Sequence, residues 1–152
     1  MDDIRRILVP VDFDERALAA LDWAGELARR TGAQIDLIHV WQMPTFIRPS
    51  VYWEAGSDEE RLTPYLENET RAKYDELAVK AAESKVTISE RRIERGEPSR
   101  VILDVAQSGD YDLIVMGTHG RSGVGRVLGS VAARVLQHAP CPVMTLAGGR
   151  GA

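Results

Sequence analysis

Apolar residues alternate along the chain between short runs and helical stripes, and this alternation predicts a β-α-β-α-β-α-β-α-β order. Residues 4–10 (IRRILVP) end in a compact run of branched apolar side chains, the pattern of a strand buried on both faces. Asp14 then caps a helix whose stripe passes through Ala17, Leu21, Ala24 and Ala28, with Leu18 and Gly25 beside it. Arg29 and Arg30 suit the negative end of that helix, and Gly32 stops it. Residues 35–40 (IDLIHV) form the second strand. Residues 42–62 lack a clean period and hold Pro44, Pro49 and Gly56; Trp41, Phe46, Tyr52 and Trp53 cluster here and are read as local packing over the sheet. Thr63 and Pro64 have the chemistry of a cap and first position for a long helix reaching residue 84.

Val86, Thr87 and Ile88 begin a third, weaker strand. Pro98 opens a helix through Val101, Ile102 and Val105, which Gly109 ends. Residues 112–116 (DLIVM) are the clearest strand of all; a glycine-rich stretch, a short helix over 129–138 and a fifth strand over 142–146 (PVMTL) follow. Helices between successive apolar strands imply right-handed crossovers and a mostly parallel sheet covered on both faces. The fold expected is therefore one α/β domain over residues 1–147, with 148–152 as a frayed tail. Ligands of such sheets lie beyond the carboxyl ends of the strands, where the winding reverses. Those ends are Pro10-Val11-Asp12, Val40-Trp41, and Met116 onward.

Bulk properties act mainly by exclusion. A chain of 152 residues suits one domain with a real core, and a formal charge of -4 gives no general reason to bind nucleic acid or anionic membranes. No run approaches the roughly 20 apolar residues of a membrane span. Met1-Asp2-Asp3 is acidic and leads straight into strand-like sequence, unlike a secretory signal. The single cysteine, Cys141, forms no internal disulfide, so a reducing, cytoplasmic setting is expected.

The chemistry concentrates in residues 116–130 (MGTHGRSGVGRVLGS). Glycines let successive backbone N–H groups turn inward to hold an anion, and the helix opened by Gly129-Ser130 offers unpartnered N–H groups and a favourable dipole. Ser130 adds a hydroxyl donor. A plain flexible loop is the bland alternative, which the placement after an apolar strand and before a helix weakens. Two familiar phosphate loops are excluded. No lysine follows Gly117, so there is no P-loop, and residues 9–14 contain no glycine, so there is no dinucleotide fingerprint after the first strand. Asp12 lacks the later aspartate and lysine of a receiver domain.

With these residues in view, the chain resembles the universal stress protein family of the nucleotide-binding kind over nearly its whole length. That family's loop is Gly-x2-Gly-x9-Gly-Ser/Thr after strand four. Gly117, Gly120 and Gly129-Ser130 match it, framed by Val115-Met116 and Cys141-Pro142-Val143, and residues 7–12 (ILVPVD) match the opening strand. The departure is one residue: eight separate Gly120 from Gly129. One residue spans at most about 3.3–3.6 Å, so the outer phosphates bear the consequence, and Gly125 offers a tighter path.

The resemblance implies a Rossmann-like three-layer sandwich with a five-stranded, mostly parallel sheet in the order 3-2-1-4-5. It implies ATP as ligand, with Mg2+ as a companion. Adenine and ribose fall near Pro10, Val11, Asp12 and Val40, and phosphates near Gly117, His119, Gly120, Gly129, Ser130 and Val131, with Met116 and Arg121 as further cofactor-binding candidates. Asp12 at a strand's carboxyl end accepts from ribose hydroxyls or neighbours magnesium; a helix-entry residue is its plainer reading. Arg121 and Arg126 pair with phosphate or stay solvated. A solvent-facing His119 is a rival to a loop donor. The functional expectation is a cytoplasmic adenine-nucleotide sensor or regulator of the stress response, with no assigned catalytic residue. Slow ATP hydrolysis and a dimeric interaction protein without nucleotide are the alternatives. A homodimer through Val143-Met144-Thr145-Leu146 is expected, since the family places the fifth strand at a sheet edge and no charge guards it. His39 in a strand, His138 at a helix end and Cys141 between two prolines are read as structural, with no metal-ligand spacing among them.

Overall fold

Strand and helix alternate among the described residues of the computed structural model, which are 3–13, 15–42, 58–118 and 128–147. The elements are β1 (Arg6–Pro10), α1 (Glu15–Thr31), β2 (Gln34–Trp41), α2 (Asp58–Glu83), β3 (Ile88–Arg95), α3 (Pro98–Ser108), β4 (Leu113–Gly117), α4 (Ser130–His138) and β5 (Val143–Leu146). They build one sheet in the order β3-β2-β1-β4-β5, and every neighbouring pair is parallel. The predicted fold class and strand order are those observed.

Period-2 alternation sorts the side chains of the central strands onto two covered faces. Ile7, Val9, Leu37 and Val115 pack on one face with Ala17, Leu21 and Ala24 of α1 and with Tyr74 and Leu77 of α2. Leu8, Ile38 and Ile114 pack on the other with Ile102 and Val105 of α3 and Ala132 and Val135 of α4. Both faces being covered explains why β1 and β4 read as unbroken apolar runs. Gly32 ends α1 as expected, at φ +77° with its N–H on the Ala28 carbonyl at 2.8 Å. Asp14, the expected cap, lies outside the described residues.

Two boundaries differ from the sequence reading. Helix α2 is already formed at Asp58, and Pro64 sits inside it instead of opening it. A proline removes one intrahelical bond; Pro64 is exposed, where water can satisfy the carbonyl released. Strand β3 starts at Ile88, two residues late, and runs on to Arg95 through Glu90, Arg91, Arg92 and Glu94. Val86 is buried in the core just ahead of it. The charges belong to an edge strand, whose polarity discourages pairing with another chain.

The amino end of the sheet is tied by a polar network. The Arg6 guanidinium meets the buried Asp36 carboxylate at 2.7 Å, and the Tyr111 hydroxyl donates to the same oxygen at 2.7 Å. Asp112 accepts the backbone N–H groups of Arg5 and Arg6 at 2.8 and 2.9 Å, which hold its carboxyl below the usual range. Burial, together with the bond to Asp36, pushes the Tyr111 hydroxyl up. Such fully partnered networks fix register. The opposite end is built differently.

Candidate functional site

At the carboxyl end β1 and β4 part, and the sequence says why. Val11 donates its N–H to Ile38 of β2 at 2.9 Å, so alternation turns the nitrogen of Pro10 toward β4. That nitrogen carries no hydrogen and cannot extend the ladder. β1 accordingly stays in register with β2 from Arg6 to Pro10 but with β4 only at Ile7 and Leu8. The crevice thus opens at the reversal of winding, between the strands that feed α1 and α4.

On the β1 side Val11 is buried, and Asp12 and Phe13 are half-buried. Phe13 has φ +66°, a left-handed backbone that is unusual for a bulky side chain. Its ring is held by His39 at a centroid distance of 5.0 Å and by Tyr74, edge-on, at 5.2 Å. The Lys73 ammonium lies 5.7 Å from the Phe13 centroid. His39 also directs Nδ1 at the Val11 carbonyl, 2.8 Å away; a carbonyl only accepts, so Nδ1 bears the proton. Tyr74 donates to the Arg92 carbonyl at 2.7 Å, and burial raises its hydroxyl well above the ordinary range. The resulting aromatic wedge fixes the backbone on both sides of Asp12. Val40, from β2, is half-buried and packs toward the α3–α4 face.

On the β4 side Met116 is buried, and Gly117 meets the first turn of α1. A Cβ at Gly117 would lie 3.2 Å from Arg16 Cβ, so glycine has a packing reason here independent of any ligand. Thr118, also buried, donates both its N–H and its hydroxyl to the Leu146 carbonyl, at 3.1 and 3.2 Å. Its own carbonyl accepts from Gly129 at 2.6 Å. This last bond joins the two ends of the glycine-rich segment, so the base closes despite the missing residue.

Gly129 is the N-cap of α4, extended at φ -63° and ψ 157°, and among the described residues no side chain caps the helix. The N–H groups of Ser130, Val131 and Ala132 have no partner within the helix, as in any first turn. Gly129 and Val131 are half-buried and Ser130 is exposed. The helix start, which no described side chain caps, therefore offers donors and a partial positive charge just beyond the carboxyl end of β4, where Gly129 bonds Thr118. His119, Gly120, Arg121 and Arg126 lie outside the described residues, as do Phe46, Tyr52 and Trp53 of the aromatic segment.

The structure thus brings Pro10, Val11, Asp12, Val40, Met116, Gly117, Gly129, Ser130 and Val131 to one end of one sheet. Sequence reasoning missed Phe13 and Thr118, and it gave His39 only a structural part. Thr118 had a signal, a β-branched polar residue directly behind an apolar strand. The conformation of Phe13 had none. Cys141 packs against the second core cluster at the opposite end of β5, and burial pushes its thiol up, away from nucleophile behaviour.

A parallel sheet in the order β3-β2-β1-β4-β5, wound in opposite directions from β1, defines the class of open, doubly wound α/β domains. The profile of the universal stress protein family matches residues 3–146, and the chain belongs to that family. A universal stress protein of Methanocaldococcus jannaschii is 32% identical over 143 residues, covering 93% of this chain and 81% of the relative. The solved universal stress protein UspA of Lactobacillus plantarum superposes with a TM-score of 0.77 at 27% identity, over 96% of this chain and 99% of its own. The universal stress protein of Archaeoglobus fulgidus, solved in complex with dAMP, shares the fold with a TM-score of 0.64 at 24% identity, over 95% and 98% of the two chains.

Proposed function

We propose that this protein binds an adenine nucleotide, ATP with Mg2+, in the crevice between β1 and β4, and serves the stress response as a sensor or regulator. The observation that carries the reading is the uncapped start of α4 at Gly129 beside the gap that Pro10 opens. The dAMP complex of the Archaeoglobus fulgidus protein supports the ligand class. In this reading Pro10, Val11, Asp12 and Val40 surround base and ribose, with the Asp12 carboxylate accepting from ribose hydroxyls. Gly117, Gly129, Ser130 and Val131 take phosphates, joined by Met116, His119, Gly120 and Arg121. A single carboxylate at Asp12 suits Mg2+, an ion usually held by one or two carboxylates, substrate phosphates and water. The metal would then arrive with the nucleotide.

Isothermal titration with ATP and ADP tests the reading: heat of binding and a melting temperature that rises with nucleotide are expected. No heat and no thermal shift at millimolar nucleotide would defeat it.

The same reading includes a cytoplasmic homodimer paired along β5. Its supporting observation is the contrast between the two sheet edges: β3 is charged, whereas β5 carries Val143, Met144 and Leu146, with Met144 exposed. Light scattering at micromolar concentration is expected to give twice the chain mass, and Met144→Lys to give the monomer.

A further inference from the structure

We infer that His39 is a positioning residue for nucleotide recognition, holding Asp12 by both of its chain neighbours. Nδ1–H of His39 donates to the Val11 carbonyl at 2.8 Å, and its ring packs on Phe13 at 5.0 Å. One imidazole therefore grips the residue before Asp12 and the residue after it. The grip has work to do, because Phe13 is in the left-handed region, a conformation that bulky residues keep only when their surroundings impose it. Without the Nδ1 bond the Val11 carbonyl is no longer tied to β2, and the ring contacts of Phe13 with residue 39 and Tyr74 alone must hold the left-handed turn, so the peptides on either side of Asp12 can rotate. A carboxylate must be placed to within a fraction of an ångström to accept from two vicinal hydroxyls. Its energetic value then depends on a side chain that touches no ligand. The His39 ring belongs to β2, the central neighbour of β1, so the reference point is the rigid sheet.

This inference rests on the nucleotide reading, and the test separates the two. The measured quantity is ribose discrimination, the ratio of the dissociation constant for 2′,3′-dideoxyadenosine diphosphate to that for ADP. About tenfold is expected for the wild-type protein, the loss of one hydrogen-bonded pair to a charged acceptor. Asp12→Ala is expected to bring the ratio near one. His39→Phe keeps a ring and removes the donor; it is expected to bring the ratio within twofold of Asp12→Ala while leaving affinity for the dideoxy compound unchanged. His39→Asn, whose amide nitrogen stands where Nδ1 stood, is expected to restore more than half of the discrimination on a logarithmic scale. Phe13→Gly accepts positive φ without strain and removes the ring contact. It is expected to lose discrimination even if His39→Phe does not fold. Wild-type discrimination in both His39→Phe and Phe13→Gly, or equal loss toward both ligands, would overturn the positioning role while the nucleotide reading stands. No binding by the wild-type protein would remove the nucleotide reading and this inference with it, whereas no effect of Asp12→Ala on the ratio would overturn this inference alone, since ribose would then not be read at Asp12.

Discussion

Helices α3 and α4 both start beyond the carboxyl end of a strand, and their cap residues share an extended backbone, yet the two starts differ in one respect. Glu97, at φ -75° and ψ 122°, folds its carboxylate over α3 and accepts from Ser99 N–H at 3.1 Å and Arg100 N–H at 2.9 Å. Gly129, at φ -63° and ψ 157°, has no side chain to lay over α4, and no other described residue caps it. The first helix holds its own anion and has nothing left to offer a ligand. The second keeps its donors for something from outside. In a fold that repeats one strand-to-helix turn, the identity of the cap residue separates a structural turn from a candidate site, because a cap carboxylate and a ligand phosphate compete for the same N–H groups.

Making α4 resemble α3 should have the largest effect. Gly129→Asp would place a carboxylate over the first turn without straining a backbone that is already extended. Nucleotide affinity is expected to fall about 30-fold, roughly 2 kcal/mol, from the lost dipole contact and the repulsion of like charges. Stability should move the other way, up by about 0.5 kcal/mol, since aspartate caps better than glycine. Titration calorimetry and thermal melting on the same variant check the opposite signs. A fall in both would mean the substitution merely damages the fold.

The reverse change, Glu97→Ala, should act on stability alone. It leaves two first-turn N–H groups without a cap and strands the buried Ser99 hydroxyl, which now bonds both Glu97 oxygens at 2.9 and 2.7 Å. A loss of about 1–2 kcal/mol is expected, seen as a melting temperature lower by roughly 2–8 °C for a chain of this size. Nucleotide affinity should stay within twofold of wild type. A larger drop in affinity would place α3 in the site as well.

How far the sequence revealed this contrast follows from what each residue type can signal. The order of elements and the sheet were legible because apolar runs such as residues 7–9 and 113–116 have no other use than a core covered on both sides. The gap between β1 and β4 was legible in principle, since Pro10 stands where a central strand needs a donor. Gly129-Ser130 is legible as a candidate anion-binding start from the glycines before it and from its place between an apolar strand and a helix. Glu97 escaped notice because Pro98 already announced the helix, and a glutamate is not a usual cap. Glu90, Arg91, Arg92, Glu94 and Arg95 hid most of β3, whose polarity reflects its place at an edge, a tertiary fact. Phe13 and His39 escaped for the same reason: a left-handed phenylalanine and a two-sided imidazole grip are products of β1, β2 and α2 meeting. Thr63-Pro64 misled by local chemistry that fits a helix start but does not require one.

Acid sharpens the comparison in a last, smaller way, since only α3 depends on a carboxylate. The hydroxyl of Ser99 and then the amides of Arg100 and Ser99 hold the Glu97 carboxyl below its ordinary value. A depressed folded-state value means that stabilisation is complete above the unfolded value, about 4.3. It is lost as pH falls through the folded one. Glu97→Gln cannot ionise and carries no such dependence. The melting-temperature gap between wild type and Glu97→Gln is therefore expected to be widest near pH 6 and to close toward pH 3. Taking the difference removes the parallel acid sensitivity of Asp112 at the other end of the sheet, which the two proteins share. A gap that is constant across that range would mean the cap acts through shape rather than charge, and the competition between carboxylate and phosphate drawn above would lose its electrostatic basis.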